Sequence, residues 1–332
     1  MTTPPHITVN VADSLAAYRE SDATAALPSI KIVHLSDMHF VSSRFWKRLE
    51  TLYEGVRGHN PNTLPALECE IASLKPDILI ATGDQTTFGD KPSLKAAKEF
   101  LLQLGGKSGV PEERIYWIPG NHDVLLNYYS PIPGLRRNYD QVYGDLRIAD
   151  SCVIAGSKLA IFSFDSTLDR KGQRSLLWPI VGSRGRVSPR SFNSFNDGLK
   201  PIEADRDYFK IALIHHHPLP IPFKSGSAIG LELTTMFNGG TFIAHMQESG
   251  MNLILHGHEH QPYSCRYCYE PEGNDIIVVA AGTACQNGSK QNSFNYLEVV
   301  PKVSVTIRQY AYSEAGFRID RGATKTFRLA TT

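Results

Sequence analysis

Three imidazoles fall within the five residues His256-Gly257-His258-Glu259-His260, directly after the apolar run 251–255. Neutral imidazole is a common ligand for divalent transition metals, and two His at i, i+2 can reach one centre from a turn. Other metal-ligand types stand in Asp37-Met38-His39, Gly83-Asp84, Gly120-Asn121-His122-Asp123 and His215-His216-His217-Pro218. Carboxylate and amide oxygens mixed with imidazoles suit Mn, Fe or Zn better than calcium, which prefers oxygen alone. The block 256–260 alone could also be a solvated His-rich loop or histidines satisfied by core hydrogen bonds. The weight comes from the blocks occurring together.

Each block follows a strand-like run. Ile30–Leu35 is apolar and ends at Ser36-Asp37; 77–81 ends at Thr82-Gly83-Asp84; 114–118 ends at Pro119-Gly120. Runs 158–164 and 208–214 end at Asp165 and His215, and 275–281 ends at Gly282-Thr283. Between them, Leu64, Leu67, Ile71 and Leu74 recur at helical spacing, so 65–75 reads as an amphipathic helix stopped by Pro76. Pro92 opens a second helix carrying Leu94, Ala97, Leu101 and Leu104, which the pattern closes at Gly105-Gly106. Further helices are expected at 46–57 and 241–248, with a short one at 12–19. The tail 294–327 alternates like antiparallel strands. Strands alternating with helices predict an α/β fold, in which catalytic groups collect beyond the carboxyl ends of the strands.

The chain of 332 residues, 42% hydrophobic and 20% charged, reads as a globular protein able to bury a sizeable core. Residues 1–27 read as an irregular N-terminal arm and 28–330 as a single domain whose strands from about 294 complete the second sheet. A net charge of +1 offers no global basic field for nucleic acid. No apolar run reaches membrane-span length, and the first residues lack a basic and apolar leader pattern. Five Cys without framework spacing point to reduced thiols and a cytoplasmic setting. Cys265 and Cys268 have the CxxC spacing of a zinc or redox pair but lack a second pair, and are read as structural.

In chain order the blocks DxH, GD, GNHD, H and GHxH, all within residues 32–260, resemble the calcineurin-like metallophosphoesterases. The branch most similar in spacing acts on cyclic nucleotides and glycerophosphodiesters. The resemblance implies a two-sheet α/β/β/α sandwich with the site at the carboxyl ends of the strands. It also implies two transition metal ions, Mn, Fe or Zn. One would take Asp37, His39 and His260, the other Asn121, His215 and His258, with Asp84 bridging. Within the triplet, the family pattern favours His215 over His216, and His217 would line the cleft or cap the turn. Two metals roughly 3.5–4 Å apart clamp a phosphoryl group, and a bridging water becomes the hydroxide that attacks phosphorus in line. The resemblance places His122 by the leaving group, a role worth about 10²–10⁴-fold in rate, with Asp123 orienting it.

Departures narrow the branch. Purple acid phosphatases carry a metal-binding Tyr where this chain has Thr87, and the protein-phosphatase signatures GDxVDRG and GNHE are absent. The expected substrate is a small-molecule or nucleotide phosphoester, diester or monoester. The competing readings are a nuclease, which would want a basic cleft, and a non-catalytic metal-binding scaffold, which would have shed ligands or the GNH histidine. The stretch 166–207 shows little periodicity but carries Arg170, Lys171, Arg174, Arg184, Arg186 and Arg190. Leaving the rim at Asp165, it reads either as a solvated loop whose arginines only keep it soluble or as a basic loop over the site. In the second case Arg174, Arg184 or Arg186 would meet a non-reacting part of the substrate, beside His217.

Overall fold

The computed structural model describes residues 29–42, 58–124, 137–144, 152–154, 158–167, 184–203, 205, 207–220, 235–268, 275–288 and 291–329. The expected arm at 1–27, the helices at 12–19 and 46–57, and Arg170, Lys171 and Arg174 lie outside these residues. In chain order the elements are β1 (Ile30–Leu35), α1 (Leu64–Leu74), β2 (Ile78–Ala81), α2 (Lys91–Ser108), β3 (Ile115–Trp117), α3 (Arg137–Tyr143) and β4 (Cys152–Ile154). There follow β5 (Leu159–Ser163), α4 (Pro189–Leu199), β6 (Phe209–Leu213), α5 (Gly239–Glu248), β7 (Leu253–His256), β8 (Tyr263–Tyr267) and β9 (Ile276–Ala280). The tail holds β10 (Ser293–Val300), β11 (Ser304–Ser313), β12 (Gly316–Ile319) and β13 (Lys325–Arg328).

Two mixed sheets result, ordered β12-β11-β10-β1-β2-β3, with β13 on β11, and β4-β5-β6-β7-β9-β8. The strands that lead into the ligand blocks run parallel: β1 beside β2, β2 beside β3, β5 beside β6, and β6 beside β7. Their carboxyl ends therefore share a rim within each sheet. The tail strands enter through β10, antiparallel to β1, so they complete the sheet that holds the first strand and not, as expected, the second sheet.

Strand alternation builds the layers. Ile30 and Ile32 of β1 and Ile78 and Ile80 of β2 face the core between the sheets. From the second sheet, Phe209, Ile211 and Leu213 of β6 and Leu253 and Leu255 of β7 enter the same core. Val33 and Leu35 face the other way, onto Leu67 and Ile71 of α1 and Leu101 and Leu104 of α2. On the second sheet, Phe162 and Ile254 meet Phe195 of α4 and Phe242 and Met246 of α5. The order is helix, sheet, sheet, helix, as expected. Burying each Leu, Ile or Phe side chain in these layers contributes about 1.5–3 kcal/mol.

Two further expectations change. The helix expected to close at Gly105-Gly106 runs on to Ser108, and Gly109, with φ of 78°, ends it by donating to the Gly105 and Gly106 carbonyls. Gly105 is there for space, since a side chain would strike Ile115 of β3. The stretch 166–207, expected to be a loop, contains α4. Ser188 caps it by accepting from the Ser191 amide at 3.1 Å, Pro189 occupies its first turn, and Phe195 and Leu199 fall on its buried face. The Ser/Asn-rich sequence of α4 has weak intrinsic helix propensity, and packing against the second sheet decides its state. Arg190 lies on this helix and is exposed.

Candidate metal centre

The turns after β1, β2, β3, β6 and β7 converge where the rims of the two sheets meet. Backbone hydrogen bonds lock them: the Asp37 amide donates to the Gly83 carbonyl at 3.1 Å, and the Gly257 amide to the His215 carbonyl at 3.1 Å. Asp37, His39, Asp84, His258 and His260 all have positive φ, between 50° and 80°. Non-glycine residues rarely adopt this region, and such strain concentrates at functional sites. The glycines of the blocks serve close approach: a side chain at Gly120 would strike the Asp84 carboxylate, and one at Gly257 would strike Ser36.

Among the described residues three groups could hold a metal ion: Asp37 with His39, Asp84 and His260; Asp84 with His215 and His258; and His217 with His258 and Glu259. Asp84 belongs to the first two, which hold the expected ligands. In the first, His39 Nε2 lies 3.0 Å from His260 Nε2, which lies 3.2 Å from Asp37 Oδ1. In the second, His215 Nε2 lies 3.3 Å from Asp84 Oδ2, 3.1 Å from Asn121 Oδ1 and 3.3 Å from His258 Nδ1. The residues expected as ligands are thus brought together, His215 among them. His216 Nδ1 lies 2.7 Å from Ser166 Oγ, and its ring centroid lies 4.5 Å from that of His258. His217 Nε2 lies 3.2 Å from Thr235 Oγ1, and its Nδ1 lies 3.8 Å from a carboxylate oxygen of Glu259.

The donor set fits cations. Ring nitrogens face ring nitrogens and buried carboxylates, and a single proton between two such atoms leaves further lone pairs unsatisfied. Burial, then the neighbouring His260 and His122, lowers His39 to about 3, so its ring is in the neutral, ligating form. Burial, then His215, likewise pulls His258 down. Burial would raise Asp37, but His260 and His215 outweigh it and hold its carboxyl at about 2. Burial would lower His215, but Asp84 outweighs it and raises that ring to about 9.

The contacts around His122 differ from expectation. Its amide donates to Asp84 Oδ1 at 2.8 Å, and its Nδ1 lies 2.9 Å from the Thr87 carbonyl, which can only accept. The Thr87 carbonyl therefore orients the ring. Asp123, expected in that role, turns its carboxylate to the loops: it accepts from the Gly120 and Gln85 amides at 3.0 and 3.2 Å, and from the Thr86 amide at 2.8 Å. Burial, then the charge of Asp84, pushes this carboxyl up to about 7.

Several supporting groups escape a reading of the sequence. The Thr82 carbonyl lies 2.7 Å from His215 Nδ1, and Gln286 Oε1 lies 3.1 Å from His260 Nδ1. Such partners fix the orientation of a ligating imidazole. A backbone carbonyl carries no residue-type signal, whereas Glu259 was visible between two candidate ligands. Of the expected substrate-binding residues, Arg184 Nε donates to the Thr235 carbonyl at 3.3 Å, and the Arg186 amide donates to the Ser166 carbonyl at 2.8 Å. Cys265 and Cys268 are free thiols, with no disulfide between them. No helix among the described residues is long and apolar enough to cross a membrane.

Residues 30–262 match the sequence pattern of the family described as Calcineurin-like phosphoesterase. A probable cyclic nucleotide phosphodiesterase of Pseudoalteromonas sp. (strain SM9913) is 25% identical over 241 residues, covering 72% of this chain and 74% of that protein. The anchor in the inner membrane complex of Plasmodium has a similar fold, with TM-score 0.51 and 11% identity over 91% of this chain and 90% of that one. A purple acid phosphatase from yellow lupin (Lupinus luteus) seeds reaches TM-score 0.55 at 14% identity over 91% of this chain. This chain covers 54% of the lupin protein.

Proposed function

The chain belongs to the calcineurin-like phosphoesterase family, and from that premise we propose that it is a metal-dependent hydrolase of small-molecule or nucleotide phosphodiesters. The observation that carries this reading is the pair of ligand groups meeting at Asp84. The similarity to a protein named as a probable cyclic nucleotide phosphodiesterase favours a diester.

Asp37, His39 and His260 would hold one ion, Asn121, His215 and His258 the other, with Asp84 shared. When bound, the pair supplies positive charge to phosphoryl oxygens and lowers the pKa of a water toward neutrality. The protein supplies the rest. The strained turns hold the ligands in place before substrate arrives, so little reorganisation accompanies the reaction. With Nδ1 committed to the Thr87 carbonyl, His122 has Nε2 left to hand a proton to the leaving oxygen. Asp123 acts at one remove, by tying the loops after β2 and β3 together.

The test is metal analysis of the purified protein, joined to hydrolysis of nitrophenyl diester and monoester substrates before and after chelation. Two transition metal ions per chain, with diester hydrolysis lost on chelation and restored by Mn, Fe or Zn, is the expected result. Absence of transition metal with activity indifferent to chelators would refute the proposal. Full metal content without hydrolysis of any phosphoester would favour the scaffold reading.

A further inference from the structure

Beside the His triplet, the segments 184–187 and 235–238 are fastened to each other. The Phe237 amide donates to the Gly185 carbonyl at 2.8 Å, and the Val187 amide to Asn238 Oδ1 at 3.1 Å. Asn238 Nδ2 returns a bond to the Val187 carbonyl at 2.9 Å, and Arg184 Nε donates to the Thr235 carbonyl at 3.3 Å. The fastened pair touches His216 and His217, the sequence neighbours of the candidate ligand His215. Gly185 packs so closely on the His216 ring that a side chain there would strike it. The Met236 amide donates to the His217 carbonyl at 3.1 Å, and the His217 ring lies 5.8 Å from that of His258 with 25° between their planes.

This scaffold presents one aromatic ring to solvent. Phe237 is 49% exposed, and the Arg184 guanidinium lies over the ring, 4.3 Å from its centroid. The other large hydrophobics exposed among the described residues, Val303 and Ile319, lie on the tail strands and their turns. A lone exposed apolar side chain needs no explanation. Phe237 differs in being held by hydrogen-bonded backbone next to candidate ligands and in having a cation on its face. Preorganised aromatic surfaces of this kind stack the π-faces of bases.

We propose that Phe237, supported by Arg184, is a stacking subsite for the nucleobase of a nucleotide phosphodiester whose phosphate lies at the metal centre. This rests on the hydrolase reading and adds the substrate class to it. It also changes the part expected of Arg184. Its guanidinium is engaged with Phe237 and Thr235, so it contributes by stiffening the platform rather than by clamping phosphate.

The experiment compares cyclic AMP, which carries a base, with glycerophosphocholine, which has no ring, as substrates of the metal-loaded protein. Phe237→Ala should raise KM for cyclic AMP about tenfold, in the range of one base–aromatic stack, with kcat within about twofold. KM for glycerophosphocholine should not move, and Phe237→Trp should keep the wild-type KM for cyclic AMP. An unchanged KM for cyclic AMP, or an equal rise for both substrates, overturns the subsite. Failure of the hydrolase reading is distinguishable from failure of the subsite. If wild type turns over neither substrate, calorimetric binding of AMP to wild type and Phe237→Ala decides it: weaker binding by the variant supports the subsite, and equal affinity overturns it.

Discussion

Asp84→Asn isolates the charge shared by the two ligand groups. The substitution preserves volume, which matters because the space between Asp84 and Gly120 would not admit even one added carbon. Asp84 Oδ1 accepts the His122 amide at 2.8 Å, so an Asn there would keep its carbonyl oxygen in that place, since two N–H donors cannot face each other. Its NH2 group then replaces Oδ2, the atom 3.3 Å from His215 Nε2. One ligand atom becomes a donor with no lone pair to offer, and both groups lose a negative charge. Loss of partners that merely support ligands costs about 10–100-fold in metal affinity. Removing the shared ligand itself should therefore cost at least about 100-fold per ion, or about 2.8 kcal/mol. The assay is metal content after dialysis against graded free zinc, with diester hydrolysis measured on the same samples. Wild-type affinity for two ions in Asp84→Asn would falsify the assignment of this residue as the bridge.

His122→Ala should behave differently. It retains the amide that holds Asp84 and lies in neither ligand group, so metal content should persist while kcat falls about 10²–10⁴-fold. Metal loss with an undiminished rate per bound metal would instead make His122 a ligand. Metal uptake should also release protons. His215, raised to about 9 by Asp84 against the effect of burial, binds a proton in the metal-free protein at neutral pH but must lose it to ligate, and the carboxylate of Asp37 shifts His260 in the same direction. Affinity should therefore climb as pH rises from about 7 toward the His215 value of about 9. Calorimetry in buffers of different ionisation enthalpy counts those protons, and a count of zero at neutral pH would contradict the assigned ligand set.

Most of the strand-to-turn plan was legible in the sequence, because apolar runs such as Ile30–Leu35 and their abrupt polar ends are local features. The ordered blocks carried the family, since metal chemistry restricts which residue types can stand there. The helix α4 was locally signalled by Ser188-Pro189, yet its weak propensity hid it until packing on the second sheet was visible. Other matters were settled by tertiary structure alone. The family pattern favoured His215 within the triplet, but the partner each of the three rings meets is not written in the sequence. Only the approach of the β2 and β3 turns aims His215 at Asp84 and Asn121, while Ser166 takes His216 and Thr235 takes His217. Asp123, adjacent to His122 in sequence, serves Gly120, Gln85 and Thr86 instead, and a backbone carbonyl orients the histidine. Residue type and spacing record what a side chain can bind. Which partner it meets depends on backbone dihedrals and on turns brought together from distant parts of the chain, and neither is written in local sequence.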